Sequence, residues 1–197
     1  SIRRQRQMCI RDRVLTVLIL FRFNRSSVSI EADDILASAI SHHQVGNHSK
    51  AIADLDMLIN QYGSTNSGET ALYYLAHIQM DAGNDAEVRK YAESYARTGL
   101  SRSHRAGAYQ MLGELDEKQG DYSEAANNYL EAANFSDTEI LSHRNLLRAI
   151  DCYLENDNLD KADALIVDLE LKNDSLDQLR GELIRIKSKY LVLKSNL

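Results

Sequence analysis

Apolar residues in this chain recur at helical spacing in stretches separated by short polar connections. The pattern predicts helices near 30–45, 48–62, 68–82, 85–97, 102–119, 122–134, 138–155 and 159–172. The connections read GSTNSG at 63–68, TGLSRS at 98–103 and FSD at 135–137, and Ser136 with Glu139 suggests a capping box. No segment alternates apolar and polar residues for long enough to make a sheet. Beyond the last of these helices, Leu176, Leu179, Leu183, Ile186, Tyr190 and Leu193 are spaced 3, 4, 3, 4, 3. That is a narrow seam on one long helix. It suits a capping helix on the last helix pair or, alternatively, the seam of a homodimer.

A second pattern lies over the first, with a period of 37 residues. Gly46, Gly83, Gly120 and Asp157 form one series. Asn47, Asn84, Asp121 and Asn158 form the next, and Ala51, Val88, Ala125 and Ala162 a third. Glycine suits the left-handed residue just past a helix, and Asn or Asp beside it suits the N-cap of the helix that follows. Glu87 and Glu124 stand three residues after their caps, where a capping box places them. The small residue four positions on lets two helices approach closely. Asp157 in a glycine position predicts the most strained of the four turns. A fixed period of this size is the signature of a stacked helical array.

Residues 108–133, AYQMLGELDEKQGDYSEAANNYLEAA, resemble a tetratricopeptide repeat through Tyr109, Leu112-Gly113, Gly120-Asp121-Tyr122, Ala125, Tyr129 and Ala132. Residues 72–96 resemble it through Leu75, Ala76, Gly83 and Tyr95, with Asp85 where an aromatic is usual. The first and fourth units follow mainly from the spacing, and the resemblance covers about residues 32–172. The resemblance implies an all-α, right-handed α-solenoid of four helix pairs over 30–173, with a C-terminal capping helix over 174–197. The period exceeds the family's usual 34 residues, and the chain contains no proline. The stretch 58–76 is similar to the inter-repeat segment of bacterial cell-envelope members, such as the ancillary Sec-translocon subunit and outer-membrane assembly lipoproteins.

The resemblance also implies a non-enzymatic protein-binding module whose first helices line a concave groove. Carried over by position, the groove residues are Leu36, Ile40, Tyr73, His77, Gln110, Glu114, Leu147 and Asp151, apolar at the N-terminal end and acidic further along. Tyr73 is the expected apolar anchor. Leu36, Ile40 and Leu147 could equally be core. Arg144 and Arg148 match the basic pair of the family's carboxylate clamp. Tyr73, His77 and Met111 stand where that clamp needs Lys and Asn, so no clamp is expected.

Charge and chemistry narrow the reading. Residues 1–30 carry a charge of +6, 175–197 carry +3, and the body between them holds −15 of a total of −6. Such a body repels phosphate backbones, so nucleic acid is not an expected partner; other proteins or their basic segments are. There is no glycine-rich phosphate loop, no G-x-S-x-G and no H-E-x-x-H, so neither cofactor nor catalytic group is assigned. His42 and His43 point about 100° apart on a helix and make a poor metal pair. Cys152 reads as a small buried hydrophobe, and Cys9 sets no disulfide framework with it.

The N-terminus stands apart. SIRRQRQMCIRDR (1–13) resembles a translated sequencing adapter and is set aside from the fold. The run VLTVLILF (14–21) within 14–29 would extend about 12 Å as a helix, against a hydrocarbon core of ~30 Å. It is read as the remnant of a membrane anchor, as part of a signal peptide, or as a helix packing on the first repeat. The expected setting is the cell envelope, anchored to the inner membrane with the repeats outside the cytoplasm; a cytoplasmic scaffold or a regulatory domain of a larger protein is the alternative.

Overall fold

A computed structural model describes residues 28–171 and 177–195. The readings made for 1–13, for the run 14–21 and for Leu176 lie outside them. Among the described residues the chain is all-α, with no strand. Helix α1 spans 28–44, α2 His48–Tyr62, α3 Asn66–Asp81, α4 Asp85–Thr98, α5 Arg102–Gln119, α6 Tyr122–Phe135, α7 Glu139–Glu155, α8 Leu159–Leu171 and α9 Arg180–Ser195. The bounds of α1–α8 fall within two residues of those predicted, whereas α9 starts at Arg180, after a short 3-10 turn over Asp177–Leu179, and not at 174.

The 37-residue period is a repeated turn. Gly46, Gly83 and Gly120 have φ of 77°, 74° and 81°, and Asp157 has φ 52°. Asp157 is the one non-glycine with positive φ among the described residues, as its place in the series requires. Each turn makes the same two backbone bonds. Asn47 N–H donates to His42 O (2.8 Å) and Gly46 N–H to His43 O (2.9 Å). The pairs Asn84 to Gln79 with Gly83 to Met80, Asp121 to Asp116 with Gly120 to Glu117, and Asn158 to Tyr153 with Asp157 to Leu154 repeat them. This is the Schellman arrangement, which satisfies carbonyls at the end of one helix.

The same bonds correct the capping boxes. The backbone N–H that Glu87 or Glu124 would have accepted belongs to Asn84 or Asp121, and the Schellman bond already uses it. Glu87 turns to Lys90 instead (2.9 Å). Among the caps, Asn47 and Asn158 accept from Lys50 N and Lys161 N, whereas the side chains of Asn84 and Asp121 make no capping bond. Helix α7 starts at Thr138, whose hydroxyl accepts from Leu141 N, and not at Ser136. Ser136 Oγ donates to Ala132 O.

The described residues divide into two compact units, with the boundary between Ala71 and Leu72. In the first, α1 and α2 bury Ala32, Ala39, Ala51, Leu55 and Leu58. Asp54 Oδ2 accepts from Ser38 Oγ (3.1 Å) and pairs with His42 Nδ1 (3.0 Å). In the second unit, one apolar cluster joins Ala76, Val88, Ala92, Tyr95, Ala96, Ala108, Met111, Leu112 and Leu115. A further cluster joins Ala125, Tyr129, Leu147, Ile150, Leu154, Ala162 and Ile166 to Leu179, Leu183, Ile186 and Tyr190. The third series, Ala51, Val88, Ala125 and Ala162, is completely buried at all four positions.

The seam of α9 therefore faces the chain's own α7 and α8, as a capping helix would. A homodimer through this helix would have to use its other face, where Ile184, Leu191 and Val192 are exposed.

Candidate functional site

In the second unit α3, α5 and α7 line two clefts that meet along α5. The first, of about 310 Å³, is bounded by Tyr73, His77, Met80, Asp81, Gly107, Gln110, Met111 and Glu114. The second, of about 370 Å³, is bounded by Gln110, Glu114, Tyr129, Arg144, Asn145, Arg148, Glu182 and Arg185. Gln110 and Glu114 border both. Four of the predicted groove residues, Tyr73, His77, Gln110 and Glu114, are thus brought together.

Of the other four, Asp151 borders a neighbouring cleft of about 480 Å³ that Glu114 also lines. Leu147 is 2% exposed and belongs to the core, so its assignment to the groove is corrected. It packs in the cluster shared by α6, α7, α8 and α9. Asp151 is bound by Arg185 Nη2 (3.0 Å) and Lys189 Nζ (2.6 Å) from α9. Burial opposes its ionisation, but the hydrogen bonds from Lys189 and Arg185 outweigh burial and lower its pKa. Its charge is already satisfied, so it offers little to a basic ligand. Leu36 and Ile40 lie on α1 in the first unit, half-buried.

The groove also does not become uniformly acidic. Arg144, Arg148 and Arg185 line its second cleft. Arg148 Nη2 donates to Glu117 Oε2 and to the Tyr129 hydroxyl, both at 2.6 Å. Gln110 Nε2 donates to Asn145 Oδ1 (2.7 Å), and Asn145 Nδ2 to Ser136 Oγ (3.1 Å), which ties α5 to α7 across the floor. Met80, Asn145 and Arg185 were not legible as lining residues, whereas Met111, Arg144 and Arg148 stand at the clamp positions read from the resemblance. Arg185 reaches the groove only because α9 lands beside α7, and no local pattern encodes that.

Tyr73 is built into the wall more firmly than an exposed anchor. Its ring stacks on His104 at 4.4 Å and 11°, and meets the edge of Tyr74 at 5.5 Å. Burial, with the neighbouring Tyr74 and Tyr95, raises its phenol pKa. Gly107 makes the room: a Cβ there would lie 2.8 Å from the Tyr73 hydroxyl. Gly113 does the same for Tyr129, with a Cβ falling 2.9 Å from the ring.

Two other polar groups could have been mistaken for reactive ones. Asp116 is 4% exposed, yet Arg89 Nη2 (2.6 Å) and Asn128 Nδ2 (2.7 Å) occupy both its oxygens. It fastens α4 and α6 to α5 beside a cleft of about 300 Å³ that also includes Arg97 and Tyr109. Cys152 is buried, as expected, with its thiol 3.1 Å from Glu117 Oε1. Burial and that carboxylate push the thiol pKa up, so Cys152 stays protonated and unreactive at neutral pH.

Compared with protein-family models and with curated proteins, the chain matches none. Among the described residues no helix is long and apolar enough to cross a membrane.

Proposed function

We propose that this protein is a non-enzymatic adaptor of the tetratricopeptide type that captures segments of other proteins in the groove lined by α3, α5 and α7. The observation that carries this reading is the pair of clefts sharing Gln110 and Glu114. Together they form a continuous run of apolar, donor and acceptor groups along one face. Met80 and Met111 supply an adaptable apolar surface. Glu114 is exposed in the cleft it shares with Arg148, whose charged form it favours, and its carboxylate can meet a cation on the ligand. The position-by-position match to a tetratricopeptide unit supports the same assignment. Anchorage in the cell envelope, with the repeats outside the cytoplasm, belongs to this proposal through the apolar run 14–21 and the resemblance of 58–76.

The test is photocrosslinking from positions on the groove, with a crosslinking amino acid at Gln110 or Glu114 in cells that make the protein. Discrete protein adducts are expected. Tyr73→Ala should weaken them by about 1–3 kcal/mol of binding free energy, the range for an interface aromatic. Adducts that form equally from α8 positions, or that ignore Tyr73→Ala and Glu114→Gln, would refute the groove as the capture site. Membrane fractionation of the same cells tests the anchorage.

A further inference from the structure

We propose that His104 and Tyr73 form a protonation latch, in which neutral His104 holds Tyr73 in the wall of the α3–α5 cleft and protonation of the imidazole releases it. The arrangement has three parts. The rings of Tyr73 and His104 are nearly parallel at 4.4 Å. Nδ1 of His104 is buried and has no hydrogen-bond partner among the described residues. Gly107 leaves a slot that the Tyr73 hydroxyl fills, so displacing Tyr73 reshapes the cleft directly.

The groups that face the imidazole offer a proton nothing. They are Tyr73 and Tyr74 from α3, Tyr95 from α4, and Ser101, which accepts from the His104 backbone N–H. The cations next to it in the chain turn away, Arg105 to Ala96 O and the Phe135 ring, Arg102 to Asn134 O. No carboxylate is among these contacts. A protonated ring would carry its charge into a buried space, with an Nδ1–H donor that no described residue meets in this arrangement, which burial penalises. Attraction between an imidazolium and the Tyr73 face offsets part of that cost, but it supplies no acceptor for Nδ1–H. Burial accordingly holds the His104 pKa below its ordinary value of 6.5. As the pH falls below 6.5 the unfolded or opened state takes up the proton first, so the stack is complete above that pH and is lost as acid is added.

The latch concerns the wall itself; only its effect on ligand capture rests on the groove reading. Its test therefore needs no ligand. In the wild-type protein with ¹³C-labelled histidine and tyrosine, the His104 ring should titrate with a midpoint below 6.5, and the Tyr73 ring resonances should move in the same step. In parallel, the wild type should lose several degrees of Tm between pH 7.5 and 5.5 that His104→Phe, which keeps an unprotonatable ring in the stack, does not lose. A His104 midpoint at or above 6.5, Tyr73 signals that ignore the titration, or an equal Tm slope in His104→Phe would overturn the proposal. Should the variant fold poorly, the wild-type titration decides alone. If the latch titrates as described and crosslinking from Gln110 finds no partner, the groove reading fails and the latch stands.

Discussion

In the α5–α6 pair, Tyr129 lies in the space that Gly113 leaves and Arg148 caps its hydroxyl, while Ala125 and Ala126 are completely buried beside it. In the α1–α2 pair the buried residues are alanines and leucines, and Asp54 binds Ser38 and His42 across the interface. Both pairs turn on a left-handed glycine with the same two backbone bonds. The turn is therefore set by local chemistry, whereas the packing is set separately by how much large side chain each interface holds. Where a large ring is locked against a glycine, the interface resists any change of volume.

The largest expected effect breaks the tighter pair. Ala125→Arg forces a long charged side chain into a completely buried site and should cost at least about 3 kcal/mol. Thermal unfolding followed by circular dichroism measures it. The equivalent change Ala51→Arg meets smaller neighbours and a partly polar interface, and should cost about half as much. Equal losses at the two sites would show that the interfaces are mechanically alike and the comparison mistaken.

Next comes the glycine–tyrosine contact. Gly113→Ala places a methyl 2.9 Å from the Tyr129 ring, and helix propensity alone would favour alanine by about 1 kcal/mol. The clash should win, with a net loss of about 1–3 kcal/mol. Gly113→Ala combined with Tyr129→Leu should lose less than the sum of the single changes, which a double-mutant cycle reads directly. Stabilisation by Gly113→Ala would mean that Tyr129 has slack.

These contacts also show what the sequence makes legible. The helix bounds, the four turns and the buried small-residue series follow from short-range chemistry, and each could be read from a few neighbouring residues. Asp157 was identifiable as the irregular turn for the same reason. The capping boxes of Glu87 and Glu124 could not be read, because whether the cap N–H is free depends on a backbone bond formed across the turn, nor could the missing side-chain cap at Asn84, which bonds Gln79 instead. The groove was half legible. Tyr73, His77, Gln110 and Glu114 fall where the helix face puts them. Leu147 fails because it is buried in the cluster with α6, α8 and α9, and Asp151, though it lines a cleft with Glu114, has its charge taken up by α9; long-range placement leaves no trace in a local pattern. Arg185 enters the groove by that same placement.

A smaller effect tests the α9 contact. The pairs of Asp151 with Lys189 and Arg185 contribute stability that is whole above the ordinary carboxylate value of 3.8 and lost as the pH falls through the lower folded value. These pairs are partly exposed, so Asp151→Asn should cost only about 1 kcal/mol at pH 7. It should also flatten the acid limb of the stability curve below pH 4. The Ser38–Asp54 bond in α1–α2 is also partly exposed, so removing it through Ser38→Ala should cost no more than this. A loss at Asp151 above about 3 kcal/mol would instead mark it as a buried, tightly coupled charge.

The smallest expected effect is a gain, and it separates turn from packing most cleanly. Asp157 holds φ 52° where the other three turns have glycine. A side chain in the left-handed region carries a steric cost that glycine avoids, although Asp tolerates it better than most residues. Asp157→Gly removes that cost while leaving both Schellman bonds in place, because they come from backbone N–H groups. Against this, glycine gives the unfolded chain more freedom. The strain relief should prevail by about 0.5 kcal/mol, seen as a Tm raised by a degree or two. The converse change, Gly120→Asp, should cost a similar amount even though it sits in the tightly packed pair, since a Cβ at Gly120 meets nothing within 4 Å. If Gly120→Asp proves far more damaging than Asp157→Gly is helpful, turn and packing are coupled. The independence drawn from α1–α2 and α5–α6 would then fail.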